Sequence, residues 1–256
     1  MKFLTSSAIF LALFVSLSAG ASSIEISFQD QSVSANTYAQ QLEFANDTGD
    51  SVIVSGLQAT LNGSIKSISV GNSYSNSNFY YGLQTQPLLH GEHGITNRNN
   101  NFRMVLLDFG KNVQLDSFGV GWTQYGDSNP DYASVLAYQG NDDLSILNSS
   151  WSDLYEKGFI TASSNTDQGA MSISPYSKIN LTQSVVARYW LLGAVNWGVG
   201  HQIDGWIDGF KLTGVTYTYE VSEVPLPAAA WLFLTGLAGM TWMKKRKQKR
   251  DQLQAA

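Results

Sequence analysis

The sequence predicts an all-β domain, a jelly-roll-like β-sandwich, set between two targeting segments. Three observations predict it. Short runs rich in Val, Ile, Tyr and Phe recur along the chain, several with period-two alternation. Clusters of Gly, Asn and Ser separate them at turn-like intervals, a rhythm that favours a sandwich over alternating βαβ units. Composition agrees: of 256 residues, 14% are charged, 12% are aromatic and none is cysteine. Aromatics spread through the middle exclude a disordered chain. Without cysteine, an exported domain is held by its core alone, and thiol nucleophiles and thiolate metal sites are excluded.

The strands are expected in this order. Residues 24–28 alternate at period two, 51–61 form a Val/Ile segment, and 65–70 alternate strictly. Residues 71–78 are Asn/Ser-rich and read as a loop, and a strand resumes at 79–81. A polar loop at 90–101 precedes three strong strands at 103–109, 113–122 and 133–139. Residues 141–157 are expected to hold a short helix, with Asp142 and Asp143 at its start and Gly158 at its end. Extended structure resumes at 158–160, and the last strong strands are 185–196 and 210–221. There is no internal repeat.

Both ends of the chain concern export. Lys2 supplies a positive start, 8–17 is an apolar run, and Ala19-Gly20-Ala21 is a small-x-small cleavage site. Residues 1–21 therefore read as a signal peptide, leaving a mature domain of 22–222. The C-terminal segment, 223–250, has three parts. Val224, Pro225, Leu226 and Pro227 form a rigid lead-in, because each proline fixes φ and removes a donor. Residues 228–243 carry no charge and read as a single transmembrane helix, which would rise ~24 Å against a hydrocarbon core of ~30 Å. Trp231 and Trp242 sit near its ends, where amphipathic rings suit membrane interfaces. Lys244, Lys245, Arg246, Lys247, Lys249 and Arg250 then form a cationic block at 244–250. A buried helix of a soluble core would instead be amphipathic and would not run into such a block. The positive-inside rule places the block in the cytoplasm and the domain outside.

This tail resembles the PEP-CTERM sorting signal of Gram-negative bacteria: a proline-bracketed motif, an apolar helix, then a basic cluster. The motif's central Glu is replaced here by Leu226. The resemblance implies recognition by an exosortase, a membrane-embedded cysteine transpeptidase-like enzyme, and cleavage near the motif. A second resemblance lies between Gly82 and Val215. The segments NRNNNFRMVLLDFGKNVQLDSFGVGW, DSNPDYASVLAYQG, ARYWLLGAVN and DGFKLTGV follow in the order found in the exosortase-dependent surface protein family. That family implies secretion and sorting. It implies no reaction, substrate or catalytic residue.

Charge narrows the partners. Setting aside Lys2, the basic tail and Asp251 leaves eight basic against nineteen acidic residues, near −11. Such a domain does not attract nucleic acid or anionic polysaccharide by general electrostatics. The inner membrane during export, an exosortase and extracellular polysaccharide are the partners expected.

The residues that carry chemistry are few. His90-Gly91-Glu92-His93 lacks the spacing that sets two imidazoles on one helical face, and Gly91 and Gly94 argue against a helix, so these read as exposed turn residues rather than a metal site. Asp127, Asp131, Asp142 and Asp143 lie in loops, and Asp204 and Asp208 belong to a DGWIDG turn. Calcium takes oxygens from such loops, so a structural calcium at Asp204 and Asp208 stands beside plain Asp-Gly turn chemistry. The many acids permit a paired-carboxylate glycan-active enzyme, but no hydrolase motif and no Gly-x-Ser-x-Gly elbow accompany them. Trp122, Tyr125, Tyr132, Trp151, Tyr155, Trp190, Trp197 and Trp206 raise a carbohydrate-binding module. Trp122 and Trp190 lie in strong strands and are expected in the core. Trp197 and Trp206, in Gly-rich sequence with Asn196, His201, Gln202 and Asp204, are the better ligand candidates. The reading with most support is a non-enzymatic surface or secreted-matrix protein.

Overall fold

The computed structural model describes residues 22–28, 38–73, 82–85, 94–124, 131–140, 144–162, 170–201 and 207–220, together with Thr235 and Arg246. The chain divides into two compact units. Ala21–Glu220 holds every described strand, and Met1–Gly20 with Val221–Ala256 makes up the other. The segments expected to be the signal peptide and the sorting motif lie outside the described residues. So do the predicted span and basic block, except for Thr235 and Arg246, which are helical. Among the described residues no helix is long and apolar enough to cross a membrane.

The unit Ala21–Glu220 is all-β, and every pairing among its described strands is antiparallel. It is built on β9 (Asn101–Thr123). Along one side, β9 pairs with β4 (Ser51–Thr60) over its first half and β15 (Gly209–Tyr219) over its second. Along the other side run β14 (Val186–Ala194) and β13 (Ser177–Asn180). β10 (Asp131–Tyr138) borders β14 and carries β11 (Phe159–Thr161) and β12 (Met171–Ile173). β1 (Ser22–Ser27) borders β15. β3 (Gln41–Ala45) and β5 (Lys66–Ile68) border β4. β8 (Ile95–Thr96) and β7 (Gly82–Thr85) also meet β15, and β6 (Val70–Ser73) and β2 (Tyr38–Ala39) follow from β7.

The strands expected at 103–109 and 113–122 are one strand with a bulge. Its register against β14 passes from Asp108↔Tyr189 to Val113↔Ala187. Gly110 takes φ 66 there and donates its N–H to Asp108 Oδ1 at 2.8 Å. Glycine reaches that φ without the penalty a Cβ would bring, so the chain bulges and resumes pairing.

Period-two alternation sorts these strands between two apolar clusters. Val52, Val54, Val105, Leu107, Ala133, Val135, Trp190 and Leu192 enter the larger one, with Ile26, Phe118, Phe210 and Tyr217 from the other strands. Their neighbours Leu57, Ala59, Phe102, Met104, Leu136 and Leu191 enter the second. That second cluster is closed by Ile146, Trp151, Leu154 and Phe159. The covering segment is tied down where Ile65 N–H donates to Ser149 O at 2.7 Å and Asn148 N–H donates to Ile65 O at 2.9 Å.

The described part of 141–157 is not the expected helix. It contains one 3-10 turn, Ser152–Leu154. Asn148 at φ 65 breaks any helical path before it. Trp151 and Leu154 then insert into the second cluster, so burial against the sheet decides the backbone and outweighs local propensity. Trp190 is in the core as expected, whereas Trp122 is partly exposed. Trp151, raised above as a sugar-stacking candidate, is fully buried.

Candidate functional site

The segment expected to bind a sugar follows β14. Asn196 is fully buried and its side chain is committed. Its Oδ1 accepts from Gly198 N–H at 2.9 Å, capping the 3-10 turn Trp197–Val199, and its Nδ2 meets Met104 Sδ at 3.4 Å. Trp197 is half-buried, with its ring centroid 5.9 Å from that of Phe102. Its indole N–H is buried without a hydrogen-bond partner among the described residues. The polar edge of the ring is therefore turned away from solvent. Gln202, Asp204 and Trp206 lie outside the described residues.

His201 is only 2% exposed and anchors a chain of hydroxyls. Its Nδ1 lies 3.0 Å from Ser134 Oγ, and its Nε2 lies 3.0 Å from Thr161 Oγ1. Thr161 Oγ1 is 3.0 Å from Tyr155 Oη, which donates to Val199 O at 2.8 Å. One proton order satisfies every contact. Ser134 donates to Nδ1, Nε2–H donates to Thr161, Thr161 donates to Tyr155, and Tyr155 donates to the carbonyl. That order needs a neutral imidazole, and burial pushes the His201 pKa down to about 4. Ser134 is fully buried and its oxygen also receives Asn196 N–H at 2.9 Å, so no substrate carbonyl reaches it. The chain of bonds holds β10, β11 and the turn after β14 together.

The Asp-Gly turn acts in the same way. Asp208 is buried, and its carboxylate accepts from Asn97 Nδ2 at 2.9 Å and from Tyr132 N–H at 2.8 Å. Asn97 Oδ1 accepts Asp208 N–H at 2.8 Å, and Asn97 Nδ2 also reaches Val195 O at 3.1 Å. Asp131 Oδ1 accepts Gly209 N–H at 3.1 Å. These bonds lock the starts of β10 and β15 to the end of β14. The sequence pointed to Asp208 but not to Asn97, whose Asn-rich loop carries no signal of a buried partner. Among the described residues no group of three His, Asp or Glu could hold a metal ion.

Among the described residues, two surface clefts were not foreseen from the sequence. One, of ≈ 480 Å³, lies between Gln40, Gln41 and Ser55 on one side and Leu144, Ile146 and Leu147 on the other. Several of its polar groups bond one another: Ser67 donates to Gln40 Oε1 at 2.6 Å and Gln41 Nε2 donates to Ser55 Oγ at 3.2 Å. The second, of ≈ 400 Å³, crosses β13, β9, β15 and β1. Register explains its shape. Lys178, Gly119, Gly214 and Ser27 form one row across the four strands, so the two central positions carry no side chain. Glycines inside strand patterns, Gly119 and Gly121 above all, were the available signal. No protein-family model, curated protein or solved structure matches this chain.

Proposed function

We propose that this is a non-enzymatic bacterial surface or extracellular-matrix protein, exported across the inner membrane and then sorted and processed by an exosortase. One observation carries the reading: the order of proline motif, uncharged apolar stretch and cationic block across residues 224–250. The cysteine-free composition and the all-β unit Ala21–Glu220, whose last strand ends at Tyr219 just before that motif, are in keeping with it. The domain is read as a jelly-roll-like β-sandwich. The supporting feature is β9, whose two halves take different partners while both feed the larger cluster. In this reading the tail anchors only a precursor, and the domain is delivered to the cell surface or the polymer matrix of a Gram-negative bacterium.

The test is the C-terminus of the exported molecule. Intact-mass and peptide mass spectrometry of the mature protein should find chains ending near residues 225–228. Recovery of Arg250 on most mature molecules would remove the processing claim. Reporter fusions after the basic block should be active only in the cytoplasm, because moving six cations across the membrane is strongly disfavoured.

A further inference from the structure

The geometry points to the glycine-floored trough across β13, β9, β15 and β1 as a binding site for a neutral polysaccharide chain. Adjacent strands lie ~4.8 Å apart, so the row from Lys178 to Ser27 spans about 14 Å with only Gly119 and Gly214 between them. These glycines are required by the fold. A Cβ on Gly214 would meet Ile26 O at 2.6 Å, and one on Gly119 would collide with Thr213 Oγ1. Close strand packing thus sets Ile26 O against Gly214 and the Thr213 hydroxyl over Gly119, so the floor of the cleft is backbone and one hydroxyl with no larger side chain. The resulting ≈ 400 Å³ falls within the ~300–1,000 Å³ typical of ligand clefts.

The walls have the chemistry of a sugar site. Ser27, Ser177, Thr213 and Thr216 bring hydroxyls. The hydroxyls of Thr213 and Thr216 can both donate and accept, as a pyranose hydroxyl requires of its partner, while Ser177 gives its proton to Ser174 O and can only accept. Tyr176 is 62% exposed, an unusual setting for a large ring in this domain. Its backbone is held at φ 54, immediately after Pro175 and before β13, in a turn position where glycine is the ordinary occupant. An L-residue there is strained by roughly 1–2 kcal/mol, so the fold keeps an aromatic ring at the mouth of the trough against a local cost. A ring so placed offers its face to the C–H face of a sugar.

Charge selects the polymer. Glu25 and Lys178 stand on opposite walls and balance each other, while the domain as a whole is acidic. A neutral chain meets no net field in the trough, and a polyanion is repelled by the domain around it. The Trp197 region is separate from this site, and the side chains of Asn196 and His201 there are bonded internally. The inference draws on the exported-domain reading only for where such a polymer is met.

Affinity gel electrophoresis of the full chain in detergent tests it, with dextran, galactomannan and hydroxyethylcellulose as neutral probes and alginate as the anionic one. Retardation is expected by at least one neutral polymer and not by alginate. Tyr176→Gly should weaken that retardation at least tenfold while its Tm stays equal or rises, because glycine relieves the positive φ. Tyr176→Phe should retain it, Ser27→Trp should block the trough and abolish it, and Trp197→Ala should leave it unchanged. The site is overturned if no neutral polymer retards the protein, if alginate does so best, or if Tyr176→Gly binds as the wild type. Exosortase processing is read separately on the exported molecule, so either result stands without the other.

Discussion

Trp151→Ala is expected to lower the unfolding free energy of the domain by ~3–5 kcal/mol, the range for removing a fully buried aromatic. Trp151 is the largest side chain closing the second cluster, and the segment that carries it contributes only a short 3-10 turn of regular structure. Its indole N–H donates to Ala59 O at 3.3 Å, tying that segment to β4. The site cannot readily collapse. The backbone at Gly198 already packs so closely that an added Cβ would sit 2.5 Å from Trp151 Cβ. Removing the indole therefore leaves a cavity and takes away the hydrogen bond to Ala59 O together. Urea denaturation should show a fall in midpoint with little change in slope. Trp122→Ala, at a partly exposed ring, should cost much less; equal losses would show that the second cluster contributes no special stability.

Acidification should destabilise the domain through His201. Its pKa is about 4 in the folded state because burial disfavours the charged ring, against an ordinary 6.5. Between those values the unfolded chain takes up a proton that the folded chain refuses. The contribution is therefore present in full above pH 6.5 and is lost as pH falls toward 4, and it amounts to roughly 3 kcal/mol. Protonation also breaks the hydroxyl order, since Nδ1 can no longer accept from Ser134. Denaturation midpoints at pH 7, 5.5 and 4 should fall more steeply for the wild type than for His201→Gln. The comparison removes the carboxylate titrations shared by both proteins. Parallel pH profiles for the two would sink the assignment.

The outlines of the domain were readable because they depend on local chemistry. Strand positions follow from alternation, as at 51–61 and 210–221, and breaks follow from Gly and Asn. Gly110 marks the bulge in β9 for the same reason. The misread segment is 141–157, where acidic residues and a terminal glycine imitate helix signals but the side chains are claimed by a sheet distant in sequence. The fate of Trp151 was equally hidden. Nothing near it shows that β4, β9, β10 and β14 present a second apolar face for it to cover.

By itself the sequence determined the all-β class, the acidic and thiol-free character of the domain, and the motif, apolar stretch and cations that mark the tail. Each of these is a property of neighbouring residues: a period, a composition or a run. Tertiary structure alone decided which polar groups are spent on one another. His201 lies 67 residues from Ser134 and 40 from Thr161, so only folding could reveal that its ring nitrogens are already bonded. Gly119 and Gly214 are ordinary strand glycines until antiparallel register sets them side by side. The trough exists because that pairing removes two side chains from the same row, and register is set by long-range packing rather than by either strand alone.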